Sequence, residues 1–324
     1  MTGTATISTH PVLLVVARRL LLAIPLLLIV SVLSFVLVSV TPGSAVDAIL
    51  GVNATQQQRD ALTEQLGLDL PLPEQYWRWL HNAVRGDLGD SILNGQPIAR
   101  LIELRLPITL SLIGGALVVI LVAGTGLGTL SALRGGALGR MIDVLALLGY
   151  ALPAFWLGTE LVAIFSVSLR LLPATGYVPI AQSPADWARS LVLPVAALSL
   201  EGIGSTAKLT REGMLDVLGS EHIRMARANG LSPRSIVFRH ALRHTAMRVL
   251  TLTGLQVIGL LGGTVFVESV FALPGLGSLM VNSATRHDLP AVQGVALCFT
   301  LVVVLVSLAV DLAYTALNPK VTVR

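Results

Sequence analysis

Between Arg105 and Arg134 the stretch Leu106–Leu133 carries no Asp, Glu, Lys or Arg. A hydrocarbon core of about 30 Å takes ~20 helical residues to cross, so this run is long enough to span a bilayer. Five further runs have the same character: Leu20–Val40, Ile142–Leu169, Leu191–Leu209, Val249–Val267 and Leu289–Val310. The Leu191–Leu209 run is the weakest, because it contains Glu201. The predicted fold class is an all-α polytopic membrane protein with six transmembrane helices. Composition agrees: the 324 residues are 54% hydrophobic and only 12% charged, against about 25% charged in a soluble domain. The net charge of +4 could suggest nucleic acid, but the basic residues sit at the ends of apolar runs, where they report topology instead.

The expected order is a cytoplasmic N-terminus over 1–19, a first span over 20–40 and an extracytoplasmic loop over 41–105. Spans over 106–133 and 142–169 follow, joined by a cytoplasmic loop over 134–141. An outer loop over 170–190 leads to the fourth span, 191–209. A cytoplasmic loop over 210–248 precedes the fifth span, 249–267. An outer segment over 268–288, the sixth span over 289–310 and a cytoplasmic C-terminus over 311–324 complete it. Fourteen of the 22 basic residues then fall on the cytoplasmic side. Most of the other eight belong to one long loop, where the positive-inside rule is weak. Arg18 and Arg19 precede a first run without an Ala-x-Ala cleavage pattern, so it reads as a retained helix with its N-terminus inside. The lone Cys298 lies in an apolar run and reads as a packing residue.

In the first outer loop Gln56–Leu66 reads as a short amphipathic helix, and Tyr76-Trp77-Arg78-Trp79 as an aromatic segment at headgroup level. Gly124 and Gly128, like Gly259 and Gly263, have the four-residue spacing that lets membrane helices approach closely.

The longest polar run of the second half is Ser220–Arg234, continuing to His244. Ser220 can N-cap a helix beginning at Glu221, and Gly230 can end it in a left-handed conformation. Ser232 then caps a second helix with Pro233 at its first position. The result is a helical hairpin in which Ile223, Ala226, Arg227 and Gly230 share one short face. That face could press into a groove on another protein; a basic loop that only enforces topology has the same spacing.

Met225-Ala226-Arg227-Ala228-Asn229-Gly230-Leu231, followed by Arg239-His240-Ala241-Leu242-Arg243, resembles the cytoplasmic signature loop of binding-protein-dependent ABC importer permeases, in particular the dipeptide/oligopeptide branch. Gly67-Leu68-Asp69, Gln75-Tyr76 and Gly86-Asp87-Leu88-Gly89-Asp90-Ser91 resemble the same branch. So do Val267-Glu268-x-x-Phe271-x-x-Pro274-Gly275-Leu276-Gly277, Arg286-His287-Asp288-Leu289-Pro290 and Asn318-Pro319-Lys320. Two departures stand out: Pro42-Gly43-Ser44-Ala45 keeps half of the usual Pro-Gly-Asp-Pro, and Asn318 replaces an Asp.

The resemblance implies a type I ABC importer permease in a bacterial inner membrane, with the hairpin as a coupling helix seated on an ATPase subunit. It assigns that contact to Glu221, Ile223, Arg224, Ala226, Arg227, Gly230, Leu231 and Arg234. It places Pro274, Gly275 and Asp288 at an outer gate or binding-protein contact. The implied partners are a second homologous permease subunit, two ATPase subunits, an extracytoplasmic binding protein and membrane lipid, with no nucleic acid. The implied cargo is di- or oligopeptides. Nickel or another small solute is the alternative within the family, and a stand-alone channel or secondary transporter the alternative outside it.

The chain has no Gly-rich loop ahead of a Lys, so no cofactor is expected on it, and ATP with Mg²⁺ is expected on the partner subunits. No catalytic residue or metal site is expected either. His240 and His244 have metal-ligand spacing, but read more simply as a solvated or partner-facing pair. Glu160, Glu201 and Glu268 are acids within or beside apolar runs, where each charge costs on the order of 3 kcal/mol. They are expected either to line a path that tolerates an ammonium group or to be satisfied locally.

Overall fold

The computed structural model describes residues 11–41, 43–51 and 53–317. Pro42, Asn318, Pro319, Lys320 and Arg324 lie outside the described residues. The helices are α1 (Pro11–Val40), α2 (Ala45–Leu50), α3 (Gln56–Gln65), α4 (Leu72–Val84), α5 (Ile98–Arg134), α6 (Gly136–Ala151), α7 (Ala154–Ser168), α8 (Pro184–Leu218), α9 (Glu221–Ala228), α10 (Pro233–Val270), α11 (Leu276–Thr285) and α12 (Leu289–Leu317). Among the described residues the only β pairing is an isolated bridge between Asp90 and Pro97. Five helices, α1, α5, α8, α10 and α12, are long and apolar enough to cross a membrane, and the bent pair α6 and α7 makes a sixth when its two halves are counted as one span.

The third apolar run is therefore not one straight helix. Its two halves meet at 101° around Leu152-Pro153. Pro153 has no N–H to donate, and its ring pushes the preceding residue out of the helical region; Leu152 is extended, with φ −88° and ψ 126°.

Several helices outrun their apolar cores. At 1.5 Å per residue, the 37 residues of α5 reach ~55 Å, well beyond a core of ~30 Å. Hydropathy marks where lipid begins, whereas backbone hydrogen bonding carries the helix on into water. For the same reason α10 is continuous from Pro233 to Val270, so one arm of the polar hairpin and the fifth span are a single rod.

The weakest run in the sequence becomes the axis of the bundle. The apolar window of α8 is 67% buried, against 28–33% in the other four long helices. It packs on α5, α6, α7 and α10 through small residues. A Cβ on Gly124 of α5 would lie 2.7 Å from Thr206 Cβ, so only glycine lets these backbones approach. The Gly259–Gly263 pair is not used in the same way: Gly259 has open space around it, and Gly263 alone faces α8, at Leu198. Gln256 of α10 donates to Gly202 O (3.1 Å) and Thr206 Oγ1 (2.8 Å) of α8, a polar tie between two apolar rods.

Helix α1 lies against α12, and an Arg19–Asp311 ion pair joins them. Outside the spans, Thr55 caps α3 with a capping box to Gln58. In α4, Tyr76 packs edge-on against Phe35 of α1, and its hydroxyl bonds Ser31 Oγ at 2.8 Å. The aromatic segment is thus docked on α1, with Trp77 left exposed.

Candidate functional site

The rod α10 connects two polar constellations, one at each end. At its N-terminal end α8 stops at Leu218, and α9 forms a short crosspiece before α10 begins. Gly230, at φ +78°, ends α9. Leu231 N–H bonds Ala226 O at 3.1 Å and Gly230 N–H bonds Arg227 O at 3.0 Å, the paired bonds of a Schellman turn. Ser232 Oγ then accepts from Ser235 N at 3.3 Å, with Pro233 at the first turn.

Ser220 does not make the capping bond expected of it. Its hydroxyl donates back to Val217 O at 2.5 Å and lies 2.9 Å from His222 Nδ1. The His222 ring in turn sits 5.8 Å from that of His244, so His244 faces α9 rather than pairing with His240.

The helix face expected to meet a partner also needs correction. Ile223 is 0% exposed within this chain, because α9 rests on α8 and the start of α10. Burying this branched side chain removes apolar area from water at little rotamer cost, and so anchors a helix of only two turns. Ala226 is half-buried on the same side. The side turned outward carries Glu221, Arg224, Met225 and Ala228, with an exposed Glu221–Arg224 ion pair at 2.9 Å and Met225 68% exposed. Arg227, Gly230, Leu231 and Arg234 are exposed around the turn. A cavity of about 590 Å³ opens between α6, α8 and α10, lined by Asp143, Tyr150, Ser205, Lys208 and Arg211 among others.

At the other end of α10 two buried acids pin the segment that follows. Glu268 is 0% exposed. It accepts from Thr109 Oγ1 of α5 (2.7 Å) and from Ser278 N of α11 (2.8 Å). Thr109 Oγ1 also accepts Leu276 N–H at 2.9 Å. One carboxylate thus serves the open N-terminus of α11, where free N–H groups favour a negative charge. Gly275 is required here because a Cβ would collide with the Glu268 carboxyl group. Pro274 beside it is exposed. At the far end of α11, buried Asp288 bonds Ser91 Oγ and accepts from Ile92 N at 3.2 Å. The loop before α5 is thereby tied to the start of α12.

Glu160 and Glu201, in contrast, are exposed on the chain's own surface, in α7 and α8. The structure separates the three acids into one satisfied clamp and two outward-facing groups. Thr109 and Ser278 were not legible as site residues. Ser91 was, but only as part of the Gly-Asp-Leu-Gly-Asp-Ser resemblance. A lone Thr in an apolar run carries no local sign of the acid that will reach it.

A capped crosspiece thus joins two rods, α8 and α10, in a bundle of helices long and apolar enough to cross a membrane, and the class of protein this architecture points to is a helical membrane permease. Residues 124–323 match the model of the family described as binding-protein-dependent transport system inner membrane component, and residues 12–113 match its N-terminal model. The chain belongs to this family. It is 40% identical over 307 residues to a putative peptide transport system permease protein of Brucella abortus strain 2308, covering 94% of this chain and 98% of that one. It is 39% identical over 307 residues, with the same coverage, to the glutathione transport system permease protein GsiC of Escherichia coli O6:H1. In fold it is similar to a chain of the inward-facing MetNI methionine ABC transporter, with a TM-score of 0.53 at 18% identity over 68% of this chain and 97% of that one. The fold is that of type I ABC importer permeases.

Proposed function

We propose that this chain is one of two permease subunits of an ATP-driven importer, and that the cargo is a peptide delivered by an extracytoplasmic binding protein. The naming of its relatives supports a peptide-type substrate, which includes glutathione for one of them. The observation that carries the mechanism is the continuity of α10. The Schellman-closed crosspiece α9 leads through a short turn into the rod that runs to Val270 and carries Glu268 near its end, so in this reading a push on α9 is passed to the rod. ATPase subunits that dimerise on ATP would press α9 through its outward side, and α8 and α10 would tilt to exchange access between the two faces. Such a device works only if the contacts on α9 differ in free energy between the two states. Both termini and the hairpin lie in the cytoplasm in this reading, and ATP and Mg²⁺ are held by the partners.

Hydrolysis by the purified complex, with and without loaded binding protein, tests it. Gly230→Val forces a Cβ into the left-handed region, at a cost of roughly 1 kcal/mol or more. Met225→Glu puts a charge on the outward side. Both should leave the spans inserted while ATPase binding weakens or hydrolysis stops responding to loaded binding protein. Arg234→Ala should be milder, since an exposed charge contributes little and is screened by salt. Full stimulation and transport in both hairpin variants would reduce the crosspiece to a topology loop.

A further inference from the structure

Resting on the peptide reading above, we infer that Arg105 forms a carboxylate-binding site at the end of the bundle opposite the hairpin, and that it receives the C-terminal carboxylate of the transported peptide. A cavity of about 450 Å³ lies there, lined by Arg105, Glu268, Ser269, Pro274, Ser278 and Asn282 among others. This is within the range of small-ligand pockets.

Arg105 is half-buried and makes no hydrogen bond or ion pair among the described residues. A guanidinium carries five N–H donors and no acceptor, and those of Arg105 are not among the buried unpaired atoms, so they remain within reach of solvent and of a ligand. Its only acidic neighbour in the cavity wall does not supply a partner. Glu268 is close enough for its charge to be felt at Arg105, but its oxygens are held by Thr109 Oγ1 and Ser278 N.

The remaining wall is short of donors. Ser269 gives its proton to Val265 O (2.9 Å) and Ser278 to Gly275 O (2.9 Å), while the Asn282 amide donates to Ser278 O (2.8 Å). Asn282, whose amide nitrogen is committed to Ser278 O and whose carbonyl oxygen can still accept, lines the same cavity as Arg105. An arginine fork beside an amide acceptor matches a carboxylate followed by a peptide N–H, which is the chemistry of a peptide C-terminus.

A phospholipid phosphate offers the same anionic oxygens, so the experiment separates the two sources. The complete complex, with its binding protein, is reconstituted in proteoliposomes and supplied with a tripeptide library or with the same library amidated at the C-terminus. Each is used at a concentration that saturates the isolated binding protein. The wild type should import the free acids about tenfold faster, the factor expected for a charge-assisted hydrogen bond. Arg105→Gln should bring the two rates together by slowing the free acids, and Arg105→Lys should retain part of the preference. If Arg105→Gln does not assemble, the wild-type ratio and its fall in Arg105→Lys decide. Equal rates in the wild type, or an unchanged ratio in the variants, would overturn the assignment while leaving the peptide reading intact. So would a variant defect that follows the anionic phospholipid content and ignores amidation, which marks Arg105 as a lipid anchor. Import of neither library would overturn the peptide reading itself.

Discussion

Thr109→Val removes one hydroxyl and leaves the volume of the side chain almost unchanged. That hydroxyl donates to Glu268 Oε1 at 2.7 Å and accepts from Leu276 N at 2.9 Å. Thr109, Glu268 and Leu276 are all at or near 0% exposure, so water cannot replace either bond. A hydrogen bond to a charged group is worth about 1.5–3 kcal/mol, and leaving a buried N–H unpaired costs about 1–3 kcal/mol. The two overlap, because Glu268 keeps its bond from Ser278 N, so a loss of about 3 kcal/mol is expected for opening of the turn. At 1.4 kcal/mol per decade, amide hydrogen exchange across α11 should accelerate by about a hundredfold. Exchange in α8, away from the clamp, should stay as in the wild type. Hydrogen-exchange mass spectrometry of the purified complex reads both regions in one experiment. Unchanged exchange across α11, or equal acceleration everywhere, would show that the clamp does not hold this segment.

Labelling of single-cysteine variants lacking Cys298 should modify position 53 and not position 229 from outside sealed cells; modification of position 229 would reverse the orientation. Since Glu160 and Glu201 face outward from this chain, Glu→Gln at either should leave the folding of the isolated chain intact. If they line the path, uptake of peptides with a free N-terminus should slow more than that of N-blocked peptides. Equal slowing, together with loss of the second permease subunit on purification, would place them in a subunit contact.

Properties that depend on a residue and its near neighbours were legible in the chain. Gly230 takes the left-handed conformation because its lack of a Cβ is a local fact, and Ser232-Pro233 starts a helix for equally local reasons. The apolar runs appear as helices because lipid excludes charge residue by residue and leaves the backbone no partner but its own hydrogen bonds. Partner choice is different, since it depends on what arrives from elsewhere. Pro25, Pro107 and Pro194 all sit within continuous helices, while Pro153 breaks one. Ser220 offered a cap and spent its hydroxyl on Val217 O instead.

The sequence by itself therefore determined the membrane class, the apolar cores of the crossings and the hairpin turn, each set by solvent exclusion or by backbone sterics over a few residues. Only the tertiary structure decided that Ile223 anchors α9 inside the chain, that α8 is the axis despite Glu201, and that Glu268 is clamped while Glu160 and Glu201 face out. Three glutamates in or beside apolar runs look alike in one dimension. They differ because the Glu268 carboxylate meets a hydroxyl 159 positions away and a helix N-terminus folded back onto it, and hydrogen-bond satisfaction is a property of that assembled neighbourhood.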